Sequence, residues 1–392
     1  MSSRKILYHH RIRADDGQAV HVREMIAALR RAGHEVLECA LVPKADGEVG
    51  HNGVATRGAP GFWQKISLPR FSRECAEILY TGKGRSMILR AAADFKPDFI
   101  YERHALHCRA GLQASRKLGV PLLLEVNSPM CDEMERLKML RFERVGRRSE
   151  REVISGADRV LAVSDVLAQR LIAIGADPSR VRVIRNGAEP SRFGAQAQQA
   201  GRELRARLGL GEHSFIVGFL GYMRDWHRLD RVVEAMQRIE CVDLHFVVAG
   251  AGPALPALLE RAAAAGLADR VHALGELPGT EIPAVCSIFD VALVPAINDY
   301  ASPLKMFDSL AAGVVTLAVD QPNIRELIAD GKTGVLFDPA DPRSLADCLE
   351  RLVKDPGRAR AIGAAGRESL LAHEWTWTGN VDRVIGAYEE LR

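Results

Sequence analysis

Residues 215–220 read Phe-Ile-Val-Gly-Phe-Leu, a short apolar run of strand-forming residues. A loop follows it, and after a helical pattern a second run of the same kind appears at Leu244–Ala249. A strand, a helix and a second strand in this order are typical of a βαβ unit, whose two strands are parallel. Residues 215–249 therefore predict one unit of a parallel α/β sheet.

The same alternation continues on both sides of this unit. In the second half, further strands are predicted at Val271–Leu274, Val291–Pro295, Val314–Val319 and Val335–Phe337. In the first half, they are predicted at Lys5–His10, Glu35–Ala40, Phe99–Tyr101, Leu122–Val126 and Val160–Val163. Residues 186–212, between the two series, carry turn residues and polar helix formers but no strand pattern. We therefore predict two facing, Rossmann-like, doubly wound parallel-sheet domains, 1–190 and 191–374, with ligands in the cleft beyond the carboxyl ends of the strands.

The tail, residues 375–392, predicts a separate amphipathic helix. One face of the predicted helix Asn380–Leu391 carries a recurring set of apolar residues, Val381, Ile385, Tyr388 and Leu391. Such a stripe must pack on another apolar surface. Either domain could supply that surface, and packing back on the N-terminal domain is one of the two options.

The composition is that of an ordinary globular protein. The 392 residues are 47% hydrophobic and 26% charged, which excludes the disordered, collagenous and coiled-coil classes. No apolar run approaches the roughly 18–20 residues that span a bilayer, and no secretory signal pattern opens the sequence, so we expect a cytoplasmic protein. The seven cysteines are scattered, without a Cys-x-x-Cys pair or a histidine at metal-ligand spacing. We therefore expect reduced thiols and no metal site.

Charge divides the chain into two unlike halves. Lys and Arg exceed Asp and Glu by nine over residues 1–190, whereas Asp and Glu exceed Lys and Arg by six over the rest. The basic half suits phosphate groups or an anionic membrane surface, to which residues 136–151, with seven Lys or Arg, and the pair Phe62 and Trp63 would contribute. A solvated helix face is the alternative interpretation of 136–151. Because the charge is dispersed and only 6% of residues are aromatic, no nucleic-acid partner is expected.

Residues 298–313, Asn-Asp-Tyr-Ala-Ser-Pro-Leu-Lys-Met-Phe-Asp-Ser-Leu-Ala-Ala-Gly, hold the most informative motif. Ser302 suits an N-cap and Pro303 the first helical position, so a helix is predicted to begin here with its free N–H groups facing the cleft. Lys305 would lie in the first turn, where a cation opposes the helix dipole unless an anion binds. We interpret the segment as a diphosphate site, with an ordinary capped helix and an exposed lysine as the alternative. Asp308 could accept hydrogen bonds from ribose hydroxyls or be a solvated helix residue.

The loop after residues 215–220 carries two further candidates. Arg224 and His227 are expected as cations that meet phosphate, with an Arg224–Asp225 ion pair as the alternative. Gly250 and Gly252 follow the next strand and resemble part of a dinucleotide fingerprint without completing it, so tight turns explain them equally well.

The first half carries candidates at the ends of two predicted strands. Gly17 and Gln18 end the loop after the first strand, where glycine lets the backbone approach a ligand; a simple helix start is the alternative. His104 closely follows the strand at Phe99–Tyr101 and is a candidate proton donor or positioning group. A structural role is the alternative for this histidine.

Taken together, these motifs resemble those of the family 4 retaining glycosyltransferases of GT-B fold. The resemblance covers nearly the whole chain and is carried by Gly17-Gln18, Tyr101–His104, Val163-Ser164, Val183–Gly187, Phe193, Arg224-x-Trp226-His227, Gly250–Pro253, Gly275 and Ser302–Gly313. It implies transfer of a sugar from a UDP- or GDP-linked nucleotide diphospho-sugar to an acceptor hydroxyl, with retention at the anomeric carbon and without an essential metal or other cofactor. It also implies that the second domain binds the donor.

The resemblance implies roles for individual residues. Arg224 and His227 would take the cationic diphosphate positions, the backbone at Glu276 and Leu277 would meet the nucleobase, and Asp308 would hold the ribose. The donor would also contact Gly17, Ser302, Pro303, Leu304 and Lys305. The expected catalytic residues are His104, Arg224 and Lys305. The expected acceptor-side residues are Gln18, Glu102 and Asn127.

The chain departs from the family pattern at several positions. Tyr300 and Asp308 stand where the family has paired glutamates, so one carboxylate is missing and the other is shorter, and the neighbouring Asp299 is a candidate substitute. His227 replaces a usual lysine, and Glu189 replaces the usual aspartate after Asn-Gly. These changes bear on contacts with the donor sugar more than on the class of reaction.

The predicted function is that of a cytoplasmic glycosyltransferase in cell-envelope or polysaccharide synthesis. Its expected partners are a nucleotide sugar, a saccharide or lipid-linked acceptor and, through the basic half, the membrane surface as a peripheral contact. A sugar-nucleotide epimerase is one alternative and would convert the donor without an acceptor. A protein that binds nucleotide sugars without turnover is the other.

Overall fold

The computed structural model describes residues 2–14, 16–45, 70–241 and 243–392. Its first parallel sheet has six strands in the order β2-β1-β3-β4-β5-β6. This sheet and its helices consist of β1 (Lys5–His10), α1 (Gly17–Arg31), β2 (Glu35–Ala40), α2 (Arg70–Phe95), β3 (Phe99–Arg103), α3 (Ala110–Leu118), β4 (Leu122–Val126), α4 (Met130–Arg136), α5 (Glu143–Gly156), β5 (Arg159–Ala162), α6 (Asp165–Ile174) and β6 (Val181–Val183).

The second parallel sheet also has six strands, in the order β12-β11-β10-β7-β8-β9. It is built from α7 (Ala195–Arg207), β7 (Phe215–Leu220), α8 (Asp230–Arg238), β8 (Leu244–Ala249), α9 (Leu255–Ala264), β9 (Val271–Gly275), α10 (Ile282–Ser287), β10 (Val291–Val294), α11 (Leu304–Ala312), β11 (Val315–Val319), α12 (Pro322–Arg325), β12 (Val335–Phe337), α13 (Ser344–Lys354) and α14 (Pro356–Ala372). A last helix, α15 (Trp377–Glu389), ends the chain. None of the helices in the described parts of the chain combines the length and apolar composition that crossing a membrane requires.

Strand burial explains why the apolar runs form sheets. All six residues of β7 are buried, as are all five of β4, because helices cover both faces of each parallel sheet. The predicted α/β class with two doubly wound parallel sheets is confirmed. Strand β6 was not predicted, since its three residues are only half-buried at the edge of the sheet and give a weak apolar signal.

Helix α15 packs on the N-terminal sheet although it follows the C-terminal one. Thr376 caps it by accepting a hydrogen bond from the backbone N–H of Gly379. The ring of Tyr388 stacks on Phe99 of β3 with 4.7 Å between centroids, and Trp377 packs in the same cluster. Residues on α1 complete this cluster, so the tail contributes to the core of the N-terminal domain.

The two sheets meet through segments at the carboxyl ends of their strands. Tyr300, which is 3% exposed, packs in the apolar cluster of the N-terminal domain, and the hydroxyl of Ser164 donates to its carbonyl oxygen (2.7 Å). The carboxylate of Glu326 accepts the backbone N–H groups of Asp165 (3.0 Å) and Val166 (3.1 Å) at the start of α6. These contacts hold the loop ahead of α11 and the end of α12 against the N-terminal domain.

Candidate active site

Helix α11 begins at Leu304, one residue later than predicted, with Pro303 in the N-cap position. Ser302 is not the cap, because its Oγ accepts a hydrogen bond from the backbone N–H of Asn186 (3.1 Å). No side chain caps α11, and the N–H groups of Leu304 and Lys305 have no acceptor among the described residues. This end of the helix therefore keeps its donors for a ligand.

The ammonium of Lys305 lies over the aromatic face of Phe219 at the end of β7, 4.0 Å from the ring centroid. It also lies close to Gly221, where an added Cβ would be 3.2 Å from Nζ. Within the described ranges, no carboxylate forms an ion pair with this lysine. Burial lowers its pKa to about 7, because water solvates the charge incompletely. The site thus holds a cation that lacks a counter-ion.

His227 lies in a turn of 3₁₀-helix after β7, beside Lys305. Its Nδ1 accepts the backbone N–H of Arg224 (3.1 Å), which leaves the proton of the neutral ring on Nε2. Burial, and then the charge of Lys305, lower the pKa of His227 to about 3. The expectation of a cationic His227 is therefore wrong. The ring is a neutral N–H donor, and Trp226 packs on it with 3.8 Å between centroids.

Arg224 is exposed at the rim of the same loop. Its guanidinium lies over the ring of Tyr222, 5.0 Å from the centroid, and it forms no ion pair with Asp225. The alternative of an Arg224–Asp225 pair is therefore not the arrangement in this structure. The guanidinium fork remains open to solvent, as bidentate binding of a phosphate requires.

Glycines let the loops after β7 and β8 come together behind this site. Gly250 and Gly252 have φ angles of +133° and +150°, which side chains rarely adopt. An added Cβ would lie 2.2 Å from the carbonyl oxygen of Gly221 at the first position and 2.0 Å from that of Met223 at the second. The loop after β8 therefore packs directly on the backbone that carries Arg224. This close packing, rather than a dinucleotide fingerprint, accounts for both glycines.

Asp308 lies one turn further along α11. Burial raises its pKa to about 7, while Arg192 acts in the opposite direction and Glu24 adds to the increase. Arg192 donates to the Glu24 carboxylate across the two domains (3.3 Å). Asp308 itself has no hydrogen bond to a described residue, so its oxygens are free for a ligand with hydroxyl donors.

The start of α1 faces the start of α11. An added Cβ on Gly17 would lie 3.9 Å from Cδ1 of Leu304, with no other described atom within 4 Å. Asp16 caps α1 by accepting the N–H of Gln18 (3.0 Å), and the Gln18 side chain is exposed. The positive ends of two helices thus converge on one cleft, an arrangement that favours an anion.

The segment expected to meet the nucleobase follows β9. The carbonyl oxygen of Gly275 accepts the N–H of Gly250 (2.7 Å), which ties this segment to the loop after β8. Glu276 is exposed, and Leu277 packs partly against the C-terminal core. The backbone at both positions therefore lies beside the glycine loops, on the same side of the sheet as the α11 terminus.

The structure does not bring Glu102 or His104 to the acceptor side. Glu102 is 1% exposed, and its Oε2 accepts the N–H of Gly111 (2.8 Å) and bonds to Nδ1 of His9 (2.5 Å). The His104 side chain is also buried, with Nε2 3.7 Å from Glu150. Strand periodicity places a residue at a strand end but not its rotamer, so the sequence could not show that both side chains turn inward. Glu102 as an acceptor residue and His104 as a catalytic residue are corrected.

Folding brings His9, Glu102 and Cys108 together, with their potential ligand atoms within 4.8 Å of one another. Spacing along the chain did not predict this group. Both nitrogens of His9 are already engaged, with Glu102 and with the Tyr80 hydroxyl (3.0 Å). Burial raises the pKa of the Cys108 thiol to about 12. Within the described residues, His9 is therefore held by two protein partners, and the Cys108 thiol keeps its proton at neutral pH.

Asn127 is half-buried at the end of β4 and donates to Oε1 of Glu125. Glu125 also forms an ion pair with Arg103, and both side chains are almost fully buried. This carboxylate was not predicted as part of the site. The available signal was a glutamate inside the apolar strand 122–126, since a buried charge requires partners.

The substitutions for the paired glutamates have structural consequences. Tyr300 points into the N-terminal core, and the guanidinium of Arg170 lies 5.4 Å from its ring centroid. Asp299 forms an ion pair with the same arginine (2.5 Å). Both residues join the two domains through Arg170, and Asp299 as a substitute carboxylate stays a prediction.

The basic region around α5 is partly neutralised. Arg147 forms ion pairs with Asp132 and Glu143, and also with Glu135. Leu137 is 52% exposed and Val145 45%, so apolar side chains lie among the remaining cations. Phe62 and Trp63 lie outside the described residues.

Two family descriptions match complementary parts of the chain. "Glycosyl transferase 4-like domain" matches residues 16–187, and "Glycosyl transferases group 1" matches residues 201–369. Together they cover most of the sequence.

Individual proteins resemble the chain over most of its length. The alpha-maltose-1-phosphate synthase of Mycolicibacterium smegmatis is 26% identical over 401 residues, covering 96% of this chain and 95% of that protein. The D-inositol 3-phosphate glycosyltransferase of Salinispora tropica is 29% identical over 325 residues, covering 78% and 66% respectively. The crystal structure of Anabaena Alr3699/HepE in complex with UDP superposes with a TM-score of 0.72 at 15% identity, covering 98% of this chain and 100% of that one. This last similarity concerns the fold.

Proposed function

The chain belongs to the glycosyl transferase 4-like family of glycosyltransferases with the GT-B fold, and we propose that it transfers a sugar from a UDP- or GDP-linked donor to an acceptor hydroxyl with retention of anomeric configuration. The observation that carries the proposal is the uncapped start of α11 beside Lys305, a half-buried cation without an ion-pair partner among the described residues. The Anabaena protein of the same fold was crystallised in complex with UDP, which supports a nucleotide diphosphate as the group bound there.

In the proposed reaction, the bond between the anomeric carbon and the diphosphate oxygen breaks, and the acceptor hydroxyl oxygen forms a bond to that carbon on the same face. The hydroxyl proton passes to the departing diphosphate, on which negative charge builds. The N–H groups of Leu304 and Lys305, the Lys305 ammonium and the Arg224 guanidinium would stabilise that charge. The Nε2–H of His227 would add a neutral donor. Asp308 would accept hydrogen bonds from the ribose. Closure of the two domains would exclude water and limit hydrolysis of the donor.

A transfer assay tests this proposal. The wild-type chain is incubated with UDP- and GDP-sugars and a panel of saccharide, sugar-phosphate and lipid-linked acceptors, and the anomeric configuration of the product is read by NMR. We expect a product that keeps the donor configuration, in EDTA as well as in buffer. Conversion of the donor without an acceptor would support the epimerase alternative. Binding without turnover would support the alternative of a nucleotide-sugar-binding protein.

We also propose a peripheral contact with anionic membranes through the region around α5. Exposed Leu137, Met139 and Val145 lie among cations there, a combination that suits the headgroup region of a bilayer. Sedimentation with vesicles of phosphatidylglycerol and phosphatidylcholine tests it. Val145→Asp should reduce binding severalfold, whereas Leu259→Asp, at an exposed leucine of the C-terminal domain, should not. Equal binding of wild type and V145D would refute this contact.

A further inference from the structure

A buried carboxylate on β4 lies at the origin of a hydrogen-bond chain that reaches the donor helix. Oε2 of Glu125 accepts the hydroxyl of Tyr101 (2.6 Å) and bonds to Nε2 of His21 on α1 (3.0 Å). Oε1 of Glu125 accepts hydrogen bonds from the side chains of Arg103 and Asn127. Burial opposes ionisation, but the charges of His21 and Arg103 hold the pKa of Glu125 far below its usual range, so it is a carboxylate.

His21 connects Glu125 to the segment between the two domains. Its Nδ1 lies 2.9 Å from Oδ1 of Asn186. The orientation of that amide is fixed, because Nδ2 of Asn186 donates to the carbonyl oxygen of Ser302 (2.6 Å) and Oδ1 must then face His21. Both nitrogens of His21 consequently face acceptors. The ring therefore bridges Glu125 and Asn186 through its two nitrogens.

Asn186 holds Ser302 at two points. Besides the side-chain bond to the carbonyl oxygen, its backbone N–H donates to Oγ of Ser302 (3.1 Å). All four residues of the chain, Glu125, His21, Asn186 and Ser302, are at most 7% exposed. Ser302 precedes Pro303, the N-cap of α11, so these two bonds fix the backbone immediately before the uncapped N–H groups.

We infer that His21 and Asn186 are positioning residues for the donor site: through Ser302 they fix the start of α11, and with it Lys305, in the orientation that receives a diphosphate. The inference rests on the proposed function. It adds that His21 and Asn186, both in the N-terminal domain, contribute to diphosphate affinity without touching the ligand. Preorganisation of this kind increases affinity because ordering of the helix start does not oppose binding.

The surroundings of His21 fix the position of its ring. Trp377 of α15 meets its ring edge-on with 5.3 Å between centroids, and Arg103 of β3 shares the Glu125 carboxylate. The packed elements therefore surround His21 with the Glu125 carboxylate, the Arg103 guanidinium that shares it and an aromatic ring. The hydrogen-bond chain from Glu125 to Ser302 is therefore made of buried polar groups and is not a surface contact.

The test uses two variants of Asn186 and one matched control. Asn186→Ala removes both side-chain bonds. Asn186→Asp keeps an acceptor for His21 but cannot donate to the Ser302 carbonyl. Asn380→Ala is the control, because Asn380 is an equally buried amide that donates to the carbonyl of the neighbouring Arg185 (2.8 Å) and does not contact Ser302. Calorimetry measures binding of UDP and GDP to each full-length variant, and kinetics measure the KM for the donor.

Both Asn186 variants should weaken binding of whichever nucleotide the wild type prefers by about tenfold, the effect of one lost hydrogen bond of about 1.4 kcal/mol. The donor KM should rise correspondingly. N380A should lower the melting temperature without changing either quantity.

The same affinity in N186D and wild type, or an equal loss in N380A, would overturn the inference. If the wild type binds neither UDP nor GDP, the proposed function itself fails. If the wild type binds one of them and the variants bind it equally well, only the present inference fails, so the two failures are distinguishable. Should N186A not fold, N186D and Ser302→Ala, which removes only the Oγ acceptor, retain the test.

Discussion

Lys305, which we propose binds the diphosphate, illustrates how a ligand-binding residue can lower the stability of the fold that holds it. Its ammonium is half-buried over Phe219 and has no ion-pair partner among the described residues. The lowered pKa means that keeping the charge costs free energy at pH values below about 7, and that this cost shrinks as the pH rises towards the ordinary pKa of lysine. The contacts of the folded chain therefore do not account for this lysine, whereas the proposed diphosphate would.

Replacement of this lysine by an apolar side chain should stabilise the free protein. Lys305→Met should raise the free energy of unfolding by about 1–3 kcal/mol at pH 6 and by less at pH 9. Denaturant titration at both pH values measures the effect. Lys354→Met, which removes an exposed partner of Glu350, should change stability by less than about 1 kcal/mol. A K305M variant that is less stable than wild type at pH 6 would show that the lysine has a structural role.

Diphosphate binding should take up protons at Lys305. An anion beside the ammonium raises its pKa from about 7, so the complex holds more protons than the free protein above that pH. Affinity for UDP or GDP should therefore fall as the pH rises from 7 to 9. Calorimetry in two buffers of different ionisation enthalpy measures the uptake directly. Uptake that persists unchanged in K305M would assign it to another group.

At the scale of elements, the sequence predicted strands better than side-chain directions. The apolar runs in β4 and β7 were visible because parallel strands are buried on both faces. The start of α11 was misplaced by one residue, since Asn186, distant in sequence, takes the Ser302 hydroxyl that would otherwise cap the helix. The inward rotamer of Glu102 was likewise set by tertiary partners. Local patterns cannot report bonds between residues that lie far apart in the chain.

The loops behind the proposed donor site depend on glycine at two positions. Gly252→Ala should destabilise the protein by about 3 kcal/mol or more, because the new Cβ would lie 2.0 Å from the Met223 carbonyl oxygen at a φ of +150°. Thermal unfolding measures the loss. Gly279→Ala is the control, since no described atom lies within 4 Å of its added Cβ. Equal stability of G252A and G279A would contradict the close packing of these loops.

At the scale of the whole molecule, the last helix returns to the first domain. The N-terminal core includes Val384 and Ile385 of α15 together with Met25 and Ile26 of α1. The amphipathic stripe of the tail was readable from sequence, but the surface that it covers was not, because an apolar face does not specify its partner. A folded N-terminal domain therefore needs residues from both ends of the chain.

Ile385→Ala should cost about 2–4 kcal/mol and should act on the N-terminal domain. Hydrogen exchange measures where the loss occurs. Amide protection should fall in α1 and β1 and stay unchanged in β10 and β11. Leu371→Ala, at a leucine that is 47% exposed, serves as the control. A loss of protection centred on the C-terminal sheet would contradict the assignment of α15 to the N-terminal core.

The position of a bound diphosphate tests the central claim most directly. A crystal structure of the wild-type chain with the UDP- or GDP-sugar that it binds should place diphosphate oxygens within hydrogen-bond distance of the backbone N–H groups of Leu304 and Lys305 and of the Lys305 ammonium. A well-ordered nucleotide whose diphosphate lies away from the start of α11 would contradict the account.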